Sequence, residues 1–497
     1  MSRIADLLAR SSEPLLLRPA DHRPSPALLP VWIAAAARGP TWRRPECLLL
    51  LITAFLVLQF VIPARLVIGG LGAVGRPSVV VALGLGLVWL AAWLCIDAIP
   101  AGRQPVRWLV AAFFLTSLVS YGVGYARGLS EVEASSADRH LILLIAMCGL
   151  ALAVADGVRD RATLDEVLLR LTRLAGVMAA FGAVQALFRV NLTDYIRIPG
   201  LRANRELLAI GARGDEGLAR VAGTANHYIE FGVVLAMVTP VAVHYALQSV
   251  GRAQVTRRWA LVMLIASGVP FSVSRSAVIS LAVSVGILAL AWTWRMRLRA
   301  AVAGFVAVAV FHVLQPGFLG TLRALFANTE NDPSVQNRLS DYPIVHAYFV
   351  ERPWLGRGLA TFLPDEYILL DNELLYLTVT TGLIGVLTFV LLFAGGFLVG
   401  RDVRCRAADD SARHLGQALA GTLVAALVAS ATFDSMSFPT FVGVVFLCLG
   451  AVGALYRLAR VEEQSTSARR RMPPIVSMTL GERWRRFRTA DLEHGSR

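Results

Sequence analysis

Apolar residues in this chain gather into blocks separated by short polar stretches, at approximately 47–63, 78–96, 107–126, 141–155, 174–190, 229–249, 259–273, 276–294, 300–314, 374–400, 415–433 and 438–457. Most are close to the roughly 20 residues that a helix needs to cross a bilayer. The pattern predicts an all-α polytopic membrane protein with about twelve transmembrane helices. Two long polar segments interrupt the series, at about 191–227 and 315–373. Both mix charges with aromatics, Gly and Pro, which suits ordered loops better than flexible linkers. The larger falls between spans 9 and 10. It carries an apolar-periodic stretch (Val335, Leu339, Tyr342, Val345, Phe349) that predicts a helix on the membrane surface, interrupted at Pro343. The expected organisation is a polar tail over 1–45, a transmembrane domain over 46–459 and a basic tail over 460–497. The first tail is polar and rich in Pro and Arg, so no cleavable signal peptide is expected. In the last tail Trp484, Arg485, Arg486 and Arg488 are placed to touch anionic lipid.

Composition agrees with the pattern. Of 497 residues 56% are hydrophobic and 16% charged, whereas soluble domains carry about 25% charged residues. The formal charge of +14 contains no Lys. Its Arg residues cluster between spans, at Arg252, Arg257 and Arg258, at Arg295, Arg297 and Arg299, and at Arg401, Arg404 and Arg406. With twelve spans these clusters fall on one side together with Arg43, Arg44 and Arg469–Arg471, and the positive-inside rule makes that side the cytoplasm. Both termini are then cytoplasmic, and both long loops lie outside. Arg in place of Lys fits a GC-rich bacterial genome, hence a bacterial cytoplasmic membrane. No nucleic-acid recognition motif accompanies the charge, so nucleic acid is not an expected partner. The five cysteines, Cys47, Cys95, Cys148, Cys405 and Cys448, form no CxxC pair, and neither disulfides nor a cysteine metal site is expected. Walker loops, nucleotide fingerprints, His/Glu zinc spacing and Gly-x-Ser-x-Gly elbows are absent, and Asp409-Asp410 stands alone on the cytoplasmic side. No cofactor or metal is expected.

Four external pieces remain as carriers of chemistry. One is Arg220 with Gly223, Thr224, Asn226 and His227 ahead of a span. Another is Ser274-Arg275-Ser276, wedged between two apolar blocks. The third is Asn337-Arg338 followed by Pro353-Trp354-Leu355-Gly356-Arg357-Gly358. The fourth is Asp371-Asn372, then nine residues, then Gly382 and Gly385. At these residues, over roughly 215–390, the chain resembles the O-antigen ligase and O-antigen polymerase superfamily. These are membrane glycosyltransferases that use polyprenyl-pyrophosphate-linked glycans. Order and spacing match the family pattern, except that Asp371 stands where the ligases carry His, which tilts the reading towards a polymerase-like member in exopolysaccharide or capsule synthesis.

The resemblance implies inverting, metal-independent transfer or polymerisation of glycan from an undecaprenyl-pyrophosphate donor to a sugar hydroxyl of an acceptor glycan or glycolipid, at the outer face of the membrane. Catalytic roles fall on Asp371, Arg275 and Arg220, and binding of pyrophosphate or glycan on Arg338, Asn372, Arg357, His227 and Glu373. Guanidinium groups suit the task, because they grip phosphate oxygens bidentately and keep their charge at any relevant pH. Each residue also has a plainer reading. Arg220 marks the membrane interface, and Arg275 snorkels to headgroups. Arg338 pairs with Asp341 or caps a loop helix, and Arg357 braces the loop. Asp371 caps the following helix, with Glu373 as the alternate base. His227 and His346 are outer-side imidazoles available to replace the missing His. The glycines at 382 and 385 permit close helix packing. The rival class is a multi-span transporter or exporter of an envelope glycan or small solute. It is disfavoured because the polar residues lie in loops rather than at mid-membrane and the halves do not repeat.

Overall fold

The structure, a computed structural model, describes residues 45–94, 103–203, 211–213, 218–315 and 333–471, with isolated positions between 316 and 332. The tail before Pro45, Cys95 and the group around Trp484 lie outside these residues. Among the described residues fourteen α-helices follow in order: α1 (Pro45–Phe60), α2 (Pro77–Leu94), α3 (Pro105–Arg127), α4 (Glu131–Gly157), α5 (Arg161–Phe188), α6 (Tyr228–Leu247), α7 (Arg252–Ser272), α8 (Arg275–Ala289), α9 (Trp294–Leu314), α10 (Pro333–Glu351), α11 (Glu373–Thr380), α12 (Gly382–Arg406), α13 (Asp410–Ser430) and α14 (Pro439–Arg471). Two short antiparallel pairs sit in the connections, β1 (Leu66–Ile68) with β2 (Leu201–Ala203) and β3 (Gly211–Arg213) with β4 (Leu218–Arg220). Three-residue strands are too short to leave a period in the sequence.

Among the described residues nine helices (α2–α6, α9 and α12–α14) are long and apolar enough to cross a membrane, and α1 and α8 are shorter apolar helices. With α7, each predicted block coincides with a helix, and the protein is an all-α polytopic membrane protein. Several boundaries differ. The block at 141–155 lies within the 27 residues of α4, whose start is fixed by a reciprocal cap: Ser130 Oγ accepts from the Glu133 amide, and Glu133 accepts from the Ser130 amide. The block at 259–273 extends back to Arg252. The block at 374–400 is divided between α11 and α12 at Thr381. The last helix continues to Arg471, past the expected boundary at 459. Helix α10 runs unbroken through Pro343. That residue is exposed, so the carbonyl left without its amide partner can turn to solvent.

α6 and α14 form the centre, each with 94% of its spanning window buried, whereas none of the window of α9 is buried. Around the centre α12 packs on α13 and α3, α2 on α4, α7 on α6, and α8 on α13. Phe231, Phe389, Phe393, Phe441 and Phe446 fill the core. The Arg-rich connections share one end of the bundle. There Arg258 donates to the Tyr245 carbonyl (2.7 Å), Arg404 to the Ala291 carbonyl (3.4 Å) and Arg161 to Ser411 (3.3 Å). The opposite end gathers the four pieces singled out in the sequence.

Candidate functional site

At that end the 220–228 segment turns into α6. Arg220 Nη1 donates to the Tyr228 hydroxyl at 2.6 Å, and its guanidinium carbon lies 4.7 Å from the centre of the same ring. Gly223 and Thr224 are anchoring residues. The Gly223 amide donates to Gln185 (2.8 Å) and the Thr224 hydroxyl to the Phe60 carbonyl (2.6 Å). His227 caps α6, its Nδ1 accepting from the Ile229 amide at 3.3 Å. Burial, and then the charge of Arg220, push this imidazole down to about 4. It is therefore neutral at physiological pH, and with Nδ1 accepting, its proton sits on Nε2. That geometry leaves His227 a donor, and it does not fill the role of the missing base.

Arg275 opens α8. Val273 before it adopts φ +46°, a left-handed conformation uncommon for a β-branched residue, and Ser274 caps the helix by accepting from the Ala277 amide at 3.4 Å. The Val221 amide donates to the Phe271 carbonyl at 3.4 Å, so the Arg275 turn is tied directly to the Arg220 segment. Arg275 is half-buried.

The Pro-Trp-Leu-Gly-Arg-Gly piece docks into the break between α11 and α12. The amides of Arg357 and Gly358 donate to the carbonyls of Val379 and Thr380 at 2.9 Å, and the Leu383 amide donates to the Pro353 carbonyl at 2.8 Å. Gly356 and Gly382 both have φ +68°. A side chain on either would strike the facing backbone, at 2.4 Å from Thr380 or 2.5 Å from Trp354. These two glycines are thus specified by a loop-to-helix lock, and Gly382 does not serve the helix packing expected from sequence. Arg357 is held between Tyr348 and Tyr367, 4.8 and 5.2 Å from their ring centres, and donates to the Tyr367 hydroxyl at 3.0 Å. Tyr367 in turn donates to Glu133 at 3.1 Å, and Glu133 pairs with Arg127 at 2.8 Å. This network braces the large loop against α3 and α4, the plainer of the two readings for Arg357. Arg338 lies on α10, and its side chain is outside the described residues. His346 is exposed on the same helix.

The fourth piece separates Asp371 from the helix cap. The cap of α11 is Asn372, whose Oδ1 accepts from the amides of Leu374 (2.9 Å) and Leu375 (3.4 Å). The expected capping role passes to the neighbour, and Asn372 has its side-chain oxygen committed to the helix. Asp371, half-buried, lies near enough to Asp434 for its charge to act on that carboxyl. Glu373 is buried rather than offered to a glycan, and its Oε2 accepts from the Met436 amide at 2.8 Å.

Asp434 and its neighbours form a fifth segment, 431–441, that the sequence did not single out. It joins the others. Glu230 Oε1 accepts from the Thr440 and Phe441 amides at 2.6 and 3.2 Å, the His227 and Phe438 rings stand 5.8 Å apart, and the Glu373 amide donates to the Phe433 carbonyl at 3.2 Å. Burial, then repulsion from Asp371, push the Asp434 carboxyl up to about 7. Burial, offset in part by the Met436 amide, pushes Glu373 up to about 8. Among the described residues no three His, Cys, Asp or Glu side chains are grouped to hold a metal ion. One end of the bundle presents a corner carrying Arg220 and Tyr228, with the Arg275 turn tied to it, and the carboxyls of Asp371 and Asp434, with Glu373 buried next to Asp434. Segment 431–441 bridges the corner and the carboxyls.

The fold and its polar end define the class of all-α multi-pass membrane proteins. Residues 260–390 match the family model described as O-antigen ligase. The match supports the O-antigen ligase and polymerase superfamily to which the motifs pointed, and with it a glycosyl-transferring membrane enzyme acting on a lipid-linked glycan. It spans Arg275, Arg338, Arg357, Asp371, Asn372 and Glu373, while Arg220, His227 and Asp434 lie outside it. No curated protein matches the chain.

Proposed function

We propose that this protein moves a glycan from a polyprenyl-pyrophosphate donor, undecaprenyl in a bacterium, to a sugar hydroxyl of an acceptor glycan or glycolipid. The reaction takes place at the non-cytoplasmic face of the bacterial cytoplasmic membrane, with both termini in the cytoplasm. The observation that carries the reading is the meeting of the Arg220 corner with the Asp371–Asp434 carboxyl pair across segment 431–441.

In this reading the acceptor hydroxyl oxygen attacks the anomeric carbon, and the bond from that carbon to the diphosphate oxygen breaks. The diphosphate leaves with the electron pair, and Arg220 and Arg275, with Arg338 from the large loop, offset the growing charge. The Nε2 proton of His227 is a further donor to a phosphate oxygen. The hydroxyl proton passes to the Asp371–Asp434 pair. Asp434, pushed up to about 7, is a base matched to neutral pH. One displacement without a covalent enzyme intermediate inverts the anomeric centre, and none of these steps calls on a metal. With Asp371 in place of the ligase His, the reading favours polymerisation over transfer to an unrelated anchor.

Deleting the gene and analysing surface glycan and lipid-linked intermediates tests this. Unit-length glycan retained on lipid identifies a lost polymerase, and long chains retained on lipid identify a lost ligase. An unchanged profile sinks the proposal.

A further inference from the structure

Glu373 is described by the fold rather than by the reaction. Its amide donates to the Phe433 carbonyl at 3.2 Å, and its Oε2 accepts from the Met436 amide at 2.8 Å. These two contacts straddle Asp434. The other oxygen, Oε1, is buried with no hydrogen-bond partner among the described residues, and Glu373 is 1% exposed. The residue lines a cavity of about 60 Å³ walled by Phe113, Leu144, Met147, Leu377 and Val442, with His140 on its rim. Among the described residues that line this cavity none is Arg or Lys.

We propose that Glu373 is a positioning residue: it clamps the 433–436 segment and thereby fixes where Asp434 stands relative to Asp371. The inference rests on the glycosyl-transfer reading for its catalytic consequence, though not for the clamp itself. A carboxylate with one oxygen unpartnered in a largely apolar cavity carries a large desolvation cost, and a carboxylic acid a much smaller one. The clamp is therefore the protonated form, with the amide of Met436 on Oε2 and the proton on Oε1. Burial, and then Asp434, push the group up to about 8, which agrees. The other titratable groups facing it are Tyr376 on its own helix, His140 across the cavity and, beyond Asp434, Asp371. A carboxyl that binds its proton more tightly when folded makes stability fall as pH rises from the unfolded value to the folded one, here from about 4.5 to about 8.

The test compares Glu373→Gln and Glu373→Ala in the full-length protein reconstituted in liposomes, with lipid-linked glycan extracted from cells lacking the gene as donor. Gln preserves the shape, the neutral charge and the acceptor for Met436. It should restore turnover, while Ala lowers kcat by about 100-fold with the donor KM unchanged, as for a displaced catalytic group. Thermal unfolding supplies a readout that needs no activity: wild type should lose stability between pH 5 and 8 relative to Glu373→Gln. If Gln is as inactive as Asp434→Asn, or Ala turns over like wild type, or both proteins have the same pH slope of stability, the clamp is wrong. If wild type transfers nothing while the stability slopes differ, the clamp stands and the glycosyl-transfer reading fails.

Discussion

Arg220 lies over Tyr228, with Nη1 donating to the phenol oxygen at 2.6 Å and the guanidinium carbon 4.7 Å from the ring centre. The ring fixes one edge of the guanidinium, and Nε, buried, has no hydrogen-bond partner among the described residues. A flat, preoriented fork of this kind recognises phosphate in a way that a Lys ammonium does not. Arg220→Lys should therefore lower transfer by about 10²-fold, the usual cost of one lost transition-state donor, in a protein that still inserts normally. Tyr228→Phe removes only the hydroxyl anchor and should cost far less. Equal losses in the two variants, measured with the same donor, would count against recognition by Arg220.

Arg275 begins a helix behind a left-handed Val273. Arg275→Ala should abolish product while the protein remains in the membrane fraction at wild-type abundance. Wild-type turnover by this variant would return Arg275 to a headgroup contact.

Asp371 and Asn372 are adjacent, and each is a good helix cap by type. Their variants should separate. Asn372→Ala is expected to lower stability by about 1 kcal/mol, because two amides of α11 lose their acceptor. Asp371→Asn is expected to leave the melting temperature nearly unchanged and to impair transfer strongly. The reverse pattern in melting and transfer assays would exchange the two roles.

Asp434 is raised to about 7 by burial and by Asp371. A base must be unprotonated to act, so kcat/KM should climb with pH and level off above about 7. Asp434→Asn should remove that limb together with most of the activity. A limb of unchanged position in Asp434→Asn would assign it elsewhere.

Gly356 packs against the backbone of Thr380 and Thr381, and Gly382 against that of Trp354 and Leu355. Alanine at either meets both the left-handed φ and the clash, and should destabilise by more than the roughly 1–2 kcal/mol of the conformational term alone. Loss of less than that in thermal unfolding would mean that the 353–358 loop can undock freely.

Much of this architecture was legible in the chain. Apolar blocks of bilayer length carry the one-dimensional information that a span requires, and all twelve coincide with helices. Arg220, Arg275 and Asp371 were visible because charge beside or between such blocks is costly and therefore conspicuous. Asp434 was not. It sits in a short polar run between two apolar blocks, which reads as an ordinary turn, and its raised pKa arises from burial and from Asp371, sixty-three positions earlier. The break at Thr381 was equally hidden, since Thr and Gly are tolerated within a span and only the docked loop reveals the division. The choice between Asp371 and Asn372 turns on a register of one residue, below what sequence pattern can specify.

The helix at the heart of the bundle, α14, is also the last of the described spans to be made. Until it is made, α6 lacks the partner with which it forms the centre of the bundle. Glu230 waits without the amides of Thr440 and Phe441, and the arc that carries Asp434 is tethered at one end only. Assembly of this protein is thus a closing event, and the polar end acquires its shape when α14 takes its place beside α6.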